Sequence, residues 1–521
     1  MTFSRRVFLE GGVALAALPT FAIGAPAARG TLVVAQANEP QSLTNALSTE
    51  GNIYTISSKI FDGLLTFDSQ RRPQPRLATA WDVSADGLTV TLKLRPGVTW
   101  HDGKPFTSAD VAFSVLEIWK KYNGRGRSTF AHVERVETPD ALTAVLRLSK
   151  PAPYLLSALS SIESQVVPKH LYEGSNPLLN PKNASPVGTG PFRFVSRQRG
   201  SHILLERNPN YWDAGRPKVE KLIFRFVPDV AGVSSALETG EAHIGLPALS
   251  NVARLRNNPL LRVTELDVPF SAGLTCLEFN LDRPVLQDVR VRRALAHAID
   301  RRFILGNIHH GHGAIAESAL PPTMTEFFTD DVPKYAFDLK KAEALLDEAG
   351  LKRDAQGVRL TLRNDPNPGV EMTQIAQYLR SAFAKIGVKL DVRNQDFAEY
   401  VNRLYTRRDF DTAIVGGTAG PDPAIGTQRW YWSKNFRPGV AFSNGAHYEN
   451  PEVDKALETA QVELDPAKRR AQYIRFQQLV QADLPRIPLI APTGVVVSSR
   501  KVRDFINSAE GLYGNFGDAT F

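Results

Sequence analysis

Short apolar runs and amphipathic stretches alternate along this chain from Thr31 onward. Thr31-Leu-Val-Val-Ala35 is a β-branched run that gives way to polar residues and Pro40, the pattern of a buried strand ending in a loop. Val90, Leu92 and Leu94 alternate with polar neighbours and are followed by Pro96-Gly97 and Asp102-Gly103, which predicts a half-buried strand closed by turns. Then the period changes. Thr107-Ser-Ala-Asp110 precedes Val111, Val115 and Trp119, a capping box leading into a helical stripe. Asp288 stands before Val291, Ala294, Leu295, Ala298 and Ile299 in the same way. Asp338 stands before Ala342, Leu345, Leu346 and Ala349, with Gly350 placed for a left-handed C-cap. Strand-like runs at 222–227, 274–279, 388–392 and 412–415 fall between such helices. The expected fold class is mixed α/β, and the loop after Ala35 is a place where such folds put ligands.

The N-terminus breaks this pattern. Arg5 and Arg6 are followed by an apolar stretch from Gly11 to Ala25, interrupted by Pro19, and then by Ala25-Pro26-Ala27. The stretch is shorter than the ~20 continuous apolar residues of a membrane span, so residues 1–27 read as a cleaved secretory signal. Ser4-Arg5-Arg6-Val7-Phe8-Leu9 resembles the twin-arginine signal, which sends chains across a membrane already folded. The expected location is periplasmic.

A chain of 521 residues is too long for one core and predicts two or three. With no internal repeat and no low-complexity or charged linker, the lobes should be intertwined. The net charge of +8 is spread among acidic residues without an aromatic-interleaved basic stripe, which argues against nucleic acid as a partner. The single cysteine, Cys276, excludes an internal disulfide, and its apolar neighbours suggest a buried structural thiol. G-x-S-x-G, H-E-x-x-H and P-loop motifs are absent from the sequence. An enzyme survives only as an alternative, an exported hydrolase with paired carboxylates in a cleft, and no cofactor is implied.

Ordered blocks then carry a resemblance. Phe61-Asp-Gly-Leu-Leu65, Leu77-Ala-Thr-Ala-Trp81, Asp86 to Gly97, Trp100-His-Asp-Gly103 to Val111, Gly188-Thr-Gly-Pro-Phe192, Arg207 to Trp212, Asp288 to Leu295 and Asn450-Pro-Glu-Val-Asp454 closely resemble the signature of family 5 solute-binding proteins, the oligopeptide, dipeptide and nickel binders of ABC importers. The resemblance implies a two-lobed periplasmic binding protein fold, α/β in both lobes. Lobe I would span 28–278 with an inserted subdomain at about 70–185, lobe II 279–489, and 490–521 would return to lobe I. Crossings are expected near Phe279-Asn280, the hinge, and near Leu489–Pro492. The implied function is capture of a peptide-like, opine-like or sugar-like solute by a monomer and delivery to the permease and ATPase subunits of the importer.

The resemblance also marks candidate ligand contacts. Glu50, Asn52 and Tyr54 lie just upstream of the F-x-G-L-L block, although Glu50 and Asn52 could equally cap a helix starting near Ile53. Aligned on Asp422-Pro423, the segment 416–423 matches a family loop whose first Asp pairs with a peptide's α-amino group. Ala419 stands at that position and Gly416 at the position of a family Trp, so an unmodified peptide should lack its ammonium partner. Thr418, Ala419 and Asp422 are the contacts expected from this loop, with Asp422 either substituting for the missing acid or stiffening the turn. Arg363 is a candidate carboxylate partner or an ordinary salt bridge. Trp430, in the Trp430-Tyr431-Trp432 trio, is a stacking surface or a core side chain. His309, His310 and His312 lack a nearby acid or cysteine, and no metal is expected there.

Overall fold

The computed structural model describes residues 30–266, 270 and 272–521; the signal segment expected at 1–27 lies outside them. Two large sheets organise the chain. The first has seven strands in the spatial order Leu261–Leu266, Gly494–Ser499, Ile244–Gly245, Thr31–Gln36, Lys221–Phe226, His202–Arg207 and Phe192–Gln198. The second has six: Gly313–Ile315, Arg486–Pro492, Gly273–Phe279, Thr412–Thr418, Leu360–Pro366 and Val388–Val392. Each sheet carries its own buried aliphatic core, so the chain is a two-lobed α/β protein. Among the described residues no helix is long and apolar enough to cross a membrane.

Local chemistry accounts for the elements. Thr107 and Asp110 form a reciprocal capping box at the start of the helix Ser108–Phe113, satisfying amides that would otherwise be orphaned. The Asp288 carboxylate accepts from the Arg290 amide to open Val289–His297, and Asp338 accepts from the Lys341 amide to open Leu339–Glu348. Gly350, two residues beyond that helix, has φ +79°, a conformation strained for any residue with a Cβ. On Thr89–Leu94 the buried positions alternate as Val90, Leu92 and Leu94. That strand belongs to a separate four-stranded sheet, ordered Ala78–Val83, Thr89–Leu94, Thr143–Leu148 and Val133–Asp140. It packs on the first lobe around the fully buried Trp100 and Trp119. Cys276 is buried, and burial pushes its thiol up to about 12.

The second crossing falls beside Pro492, next to the expected Leu489–Pro492, and the first differs from the expected one. The chain leaves the first lobe between Leu266 and Gly273 and returns between Pro492 and Gly494. Leu266 pairs with Gly494 on the first-lobe side and Thr275 with Ile490 on the second, so the strands flanking the two crossings are paired in both lobes. The hinge assigned to Phe279 and Asn280 is therefore corrected. Those residues sit at the far end of Gly273–Phe279, about 20 Å away at ~3.3 Å per residue, where the Asn280 amide donates to the Asp411 carbonyl. The apolar run at 274–279 marks the strand Gly273–Phe279 to within one residue but not the sheet that receives it, and the second sheet begins six residues earlier than the boundary drawn from the resemblance.

Candidate functional site

Three strands direct their carboxyl ends at one space between the lobes. Thr31–Gln36 continues into Ala37–Gln41, Leu360–Pro366 into Asn367-Pro368, and Thr412–Thr418 ends in Gly416-Gly417-Thr418. All three pair in parallel with a neighbour, and the carboxyl edge of parallel strands is where α/β folds leave room for ligands. With Thr49–Asn52 from the first lobe and Phe397, Arg429 and Phe442 from the second, these segments bound an open cleft of about 670 Å³.

A charged cluster underlies it. Arg125 reaches Glu163 at 2.9 Å, both side chains at most 3% exposed, and donates to the Tyr54 hydroxyl at 2.6 Å. Its other terminal nitrogen donates across the lobes to Thr418 Oγ1 at 3.4 Å. Burial raises the Glu163 carboxyl, opposed by the Arg125 charge. Arg429 enters from the second lobe. Its Nε is buried without a hydrogen-bond partner, and burial, reinforced by the charge of Arg125, lowers its guanidinium to about 10. Among the described residues it makes no ion pair; its close partner is the face of Trp430, 5.2 Å away. On the first-lobe wall Glu50 occupies the N-cap position of Gly51–Ile60 without a side-chain capping bond, and its carboxylate is raised by burial.

The model of the bacterial extracellular solute-binding proteins, family 5, matches residues 72–439. The chain belongs to that family. A Brucella ovis protein provisionally named an ABC transporter peptide-binding protein is 32% identical over 483 residues, covering 89% of this chain and 87% of that one. The dipeptide-binding protein of Escherichia coli is 28% identical, covering 79% of each. The structure of NikZ from Campylobacter jejuni in complex with Ni(L-His) superposes with a TM-score of 0.84 at 27% identity, covering 95% of this chain and all of that one.

Within this family 5 protein the sequence candidates separate. Glu50, Asn52 and Thr418 line the cleft. Tyr54 does not: it is 3% exposed, edge-on to Tyr513 at 5.7 Å, and supports Arg125 from below. Ala419 is fully buried and donates its amide to the Ala272 carbonyl at 2.7 Å, tying the loop to the first crossing. Asp422 is taken by Arg469 through two bonds of 2.8 Å and does not border the cleft. Arg363 is removed altogether, because Asp411 holds it at 2.7 and 3.0 Å and Asp409 holds its remaining nitrogen. Trp430 is core: it is 5% exposed and lies so close under Gly417 that a Cβ there would come within 2.5 Å of its Cζ2. His312 approaches Glu265 at 3.2 Å, and among the described residues no group of three metal-ligating side chains converges.

Sequence reasoning missed Arg125, Glu163 and Arg429. The one available signal was at Gly416-Gly417 beside Arg429. Gly416, at the position where the resemblance led to the expectation of a Trp, and Gly417 border the same cleft as Arg429.

Proposed function

We propose that this chain is the exported capture component of an ABC importer, a monomer that encloses one small polar solute between its lobes and presents the closed form to permease and ATPase subunits. The observation that carries this reading is the cleft itself. Its walls come from two separately cored lobes joined by two crossings, the construction of a hinge. Of the solutes expected, peptide-like, opine-like or sugar-like, relatives named for dipeptide and glutathione binding support the peptide-like one. They lend nothing to the alternative of an exported hydrolase. A free α-ammonium finds no acid on the second-lobe wall, since Ala419 is buried and Asp422 is engaged, so unmodified dipeptides are expected to bind weakly unless Glu50 receives the amine.

Closure shifts a pre-existing equilibrium by differential affinity. The contacts of Arg125 with Thr418 and of Gln461 Nε2 with the Tyr154 hydroxyl at 3.4 Å are ones that opening would break. Small-angle scattering tests this: the radius of gyration should fall when the small molecule identified by mass spectrometry of the purified protein is added back. An unchanged radius at saturation rejects lobe closure. Export by the twin-arginine route is part of the proposal, and replacing Arg5 and Arg6 with Lys should leave unprocessed precursor in the cytoplasm.

A further inference from the structure

We infer that the cleft selects ligands by a carboxylate, received by Arg429. The inference rests on the solute-capture reading and specifies its chemistry. A buried guanidinium needs an opposite charge beside it, and the other arginines of this region have one: Arg469 has Asp422, Arg486 has Glu278, and Arg125 has Glu163. Arg429, half-buried, alone among these lines the cleft and has no acid in ion-pair reach; its Nε, like those of Arg125 and Arg486, is buried without a hydrogen-bond partner. It remains protonated at neutral pH, because even its lowered value lies near 10.

The charge balance narrows the anion. Arg125 and Arg429 bring two positive charges to the floor, and Glu163, already engaged with Arg125, offsets at most one of them. A single negative charge completes the site, which suits a carboxylate better than a phosphate dianion, since the second charge would face Glu163 and Glu50. A planar carboxylate also matches the guanidinium fork. Gly416, Gly417 and Thr418 line the cleft beside Arg429; a Cβ on Gly417 would meet the core side chain Trp430 and not the cleft. Glu50, whose carboxylate accepts no bond on the opposite wall, orients the ligand with its acid toward the second lobe.

The test uses two pools, one of tripeptides, amino-acid conjugates and sugar acids as free acids, the other of the same compounds as primary amides. Each is incubated with the full chain, and retained compounds are identified by mass spectrometry after gel filtration and titrated by calorimetry. The expected result is retention of acids, with each amide at least about tenfold weaker, the loss appropriate to a charge-assisted pair. In Arg429→Gln the acid and its amide should bind alike, and Arg429→Lys should restore part of the preference. Equal binding of acid and amide to the wild type overturns the inference while leaving solute capture intact. An acid preference that survives in Arg429→Gln overturns the assignment to Arg429. Retention of neither pool overturns both this inference and the solute-capture reading. The wild-type comparison stands even if the variant does not fold.

Discussion

Asp422 offers a sharp separation between a ligand group and a structural one. Its carboxylate and the Arg469 guanidinium are 6% and 7% exposed and joined by two 2.8 Å bonds. Arg469 also donates to the Ala460 carbonyl at 2.9 Å and lies over the rings of Phe327 and Tyr473. Asp422→Asn keeps the shape and removes the charge, stranding a buried cation. Breaking a buried pair from one side costs about 3–5 kcal/mol, and because Ala460 and the two rings still hold Arg469 the lower end, about 3 kcal/mol, is expected. With an unfolding slope of about 3 kcal/mol per molar urea, the midpoint of the second-lobe transition should fall by about 1 M at unchanged slope. Asp422→Leu combined with Arg469→Met should recover most of that loss, since removing both charges removes the desolvation penalty too. Urea unfolding followed by tryptophan fluorescence measures it. A midpoint within about 0.2 M of wild type, together with lost ligand binding, would refute the structural role and return Asp422 to the ligand.

Arg363→Ala should leave ligand affinity unchanged and cost on the order of 1 kcal/mol, because its pairs with Asp409 and Asp411 are only half-buried; calorimetry showing a tenfold loss of affinity would put it back in the site. Gly417→Ala should cost about 1–3 kcal/mol by driving a Cβ into the indole of Trp430, and it should weaken binding by displacing the neighbouring Arg429; a variant as stable as wild type contradicts the packing. His101 accepts from the Gly188 amide and meets the Gly190 carbonyl at 3.0 Å, and burial lowers it to about 4 from 6.5. Between those two values the unfolded chain binds the proton that the folded chain refuses, so stability falls with falling pH, by up to about 3 kcal/mol at pH 4. His101→Gln should flatten that part of the stability curve, and an identical slope in both proteins would count against it.

The fold was largely legible because local signals agreed with global ones. Thr107 with Asp110, Asp288 and Asp338 each cap the helix that their position announces, and the run at 388–392 is the strand Val388–Val392. What periodicity cannot carry is the identity of a strand's neighbours, which is why the hinge was placed at Phe279 and not near Gly273. The site was half legible for the same reason. Glu50, Asn52 and Thr418 were marked by the resemblance, and they sit at a helix start and a strand end that border the cleft. Arg363 and Asp422 could be excluded only by seeing Asp411 and Arg469 arrive from elsewhere in the chain. Arg429 could be chosen only by seeing that nothing arrives.

The strand Gly494–Ser499 is not an edge strand. It lies between Leu261–Leu266, which has no other partner in the sheet, and Ile244–Gly245. Beyond it, the carbonyls of Leu512 and Gly514 accept from the buried Lys59 ammonium at 2.8 and 2.6 Å. Synthesis proceeds from the other end, so the lobe begun first is finished after the lobe begun second, whose strands all lie between Gly273 and Pro492. Until the residues after Thr493 have been made, the first sheet has a missing stave and Lys59 lacks two of its three oxygen partners, keeping only the Ser58 hydroxyl. A ribosome that stops just after Pro492 releases a chain whose second lobe has all its strands and whose first lobe stays open along one seam.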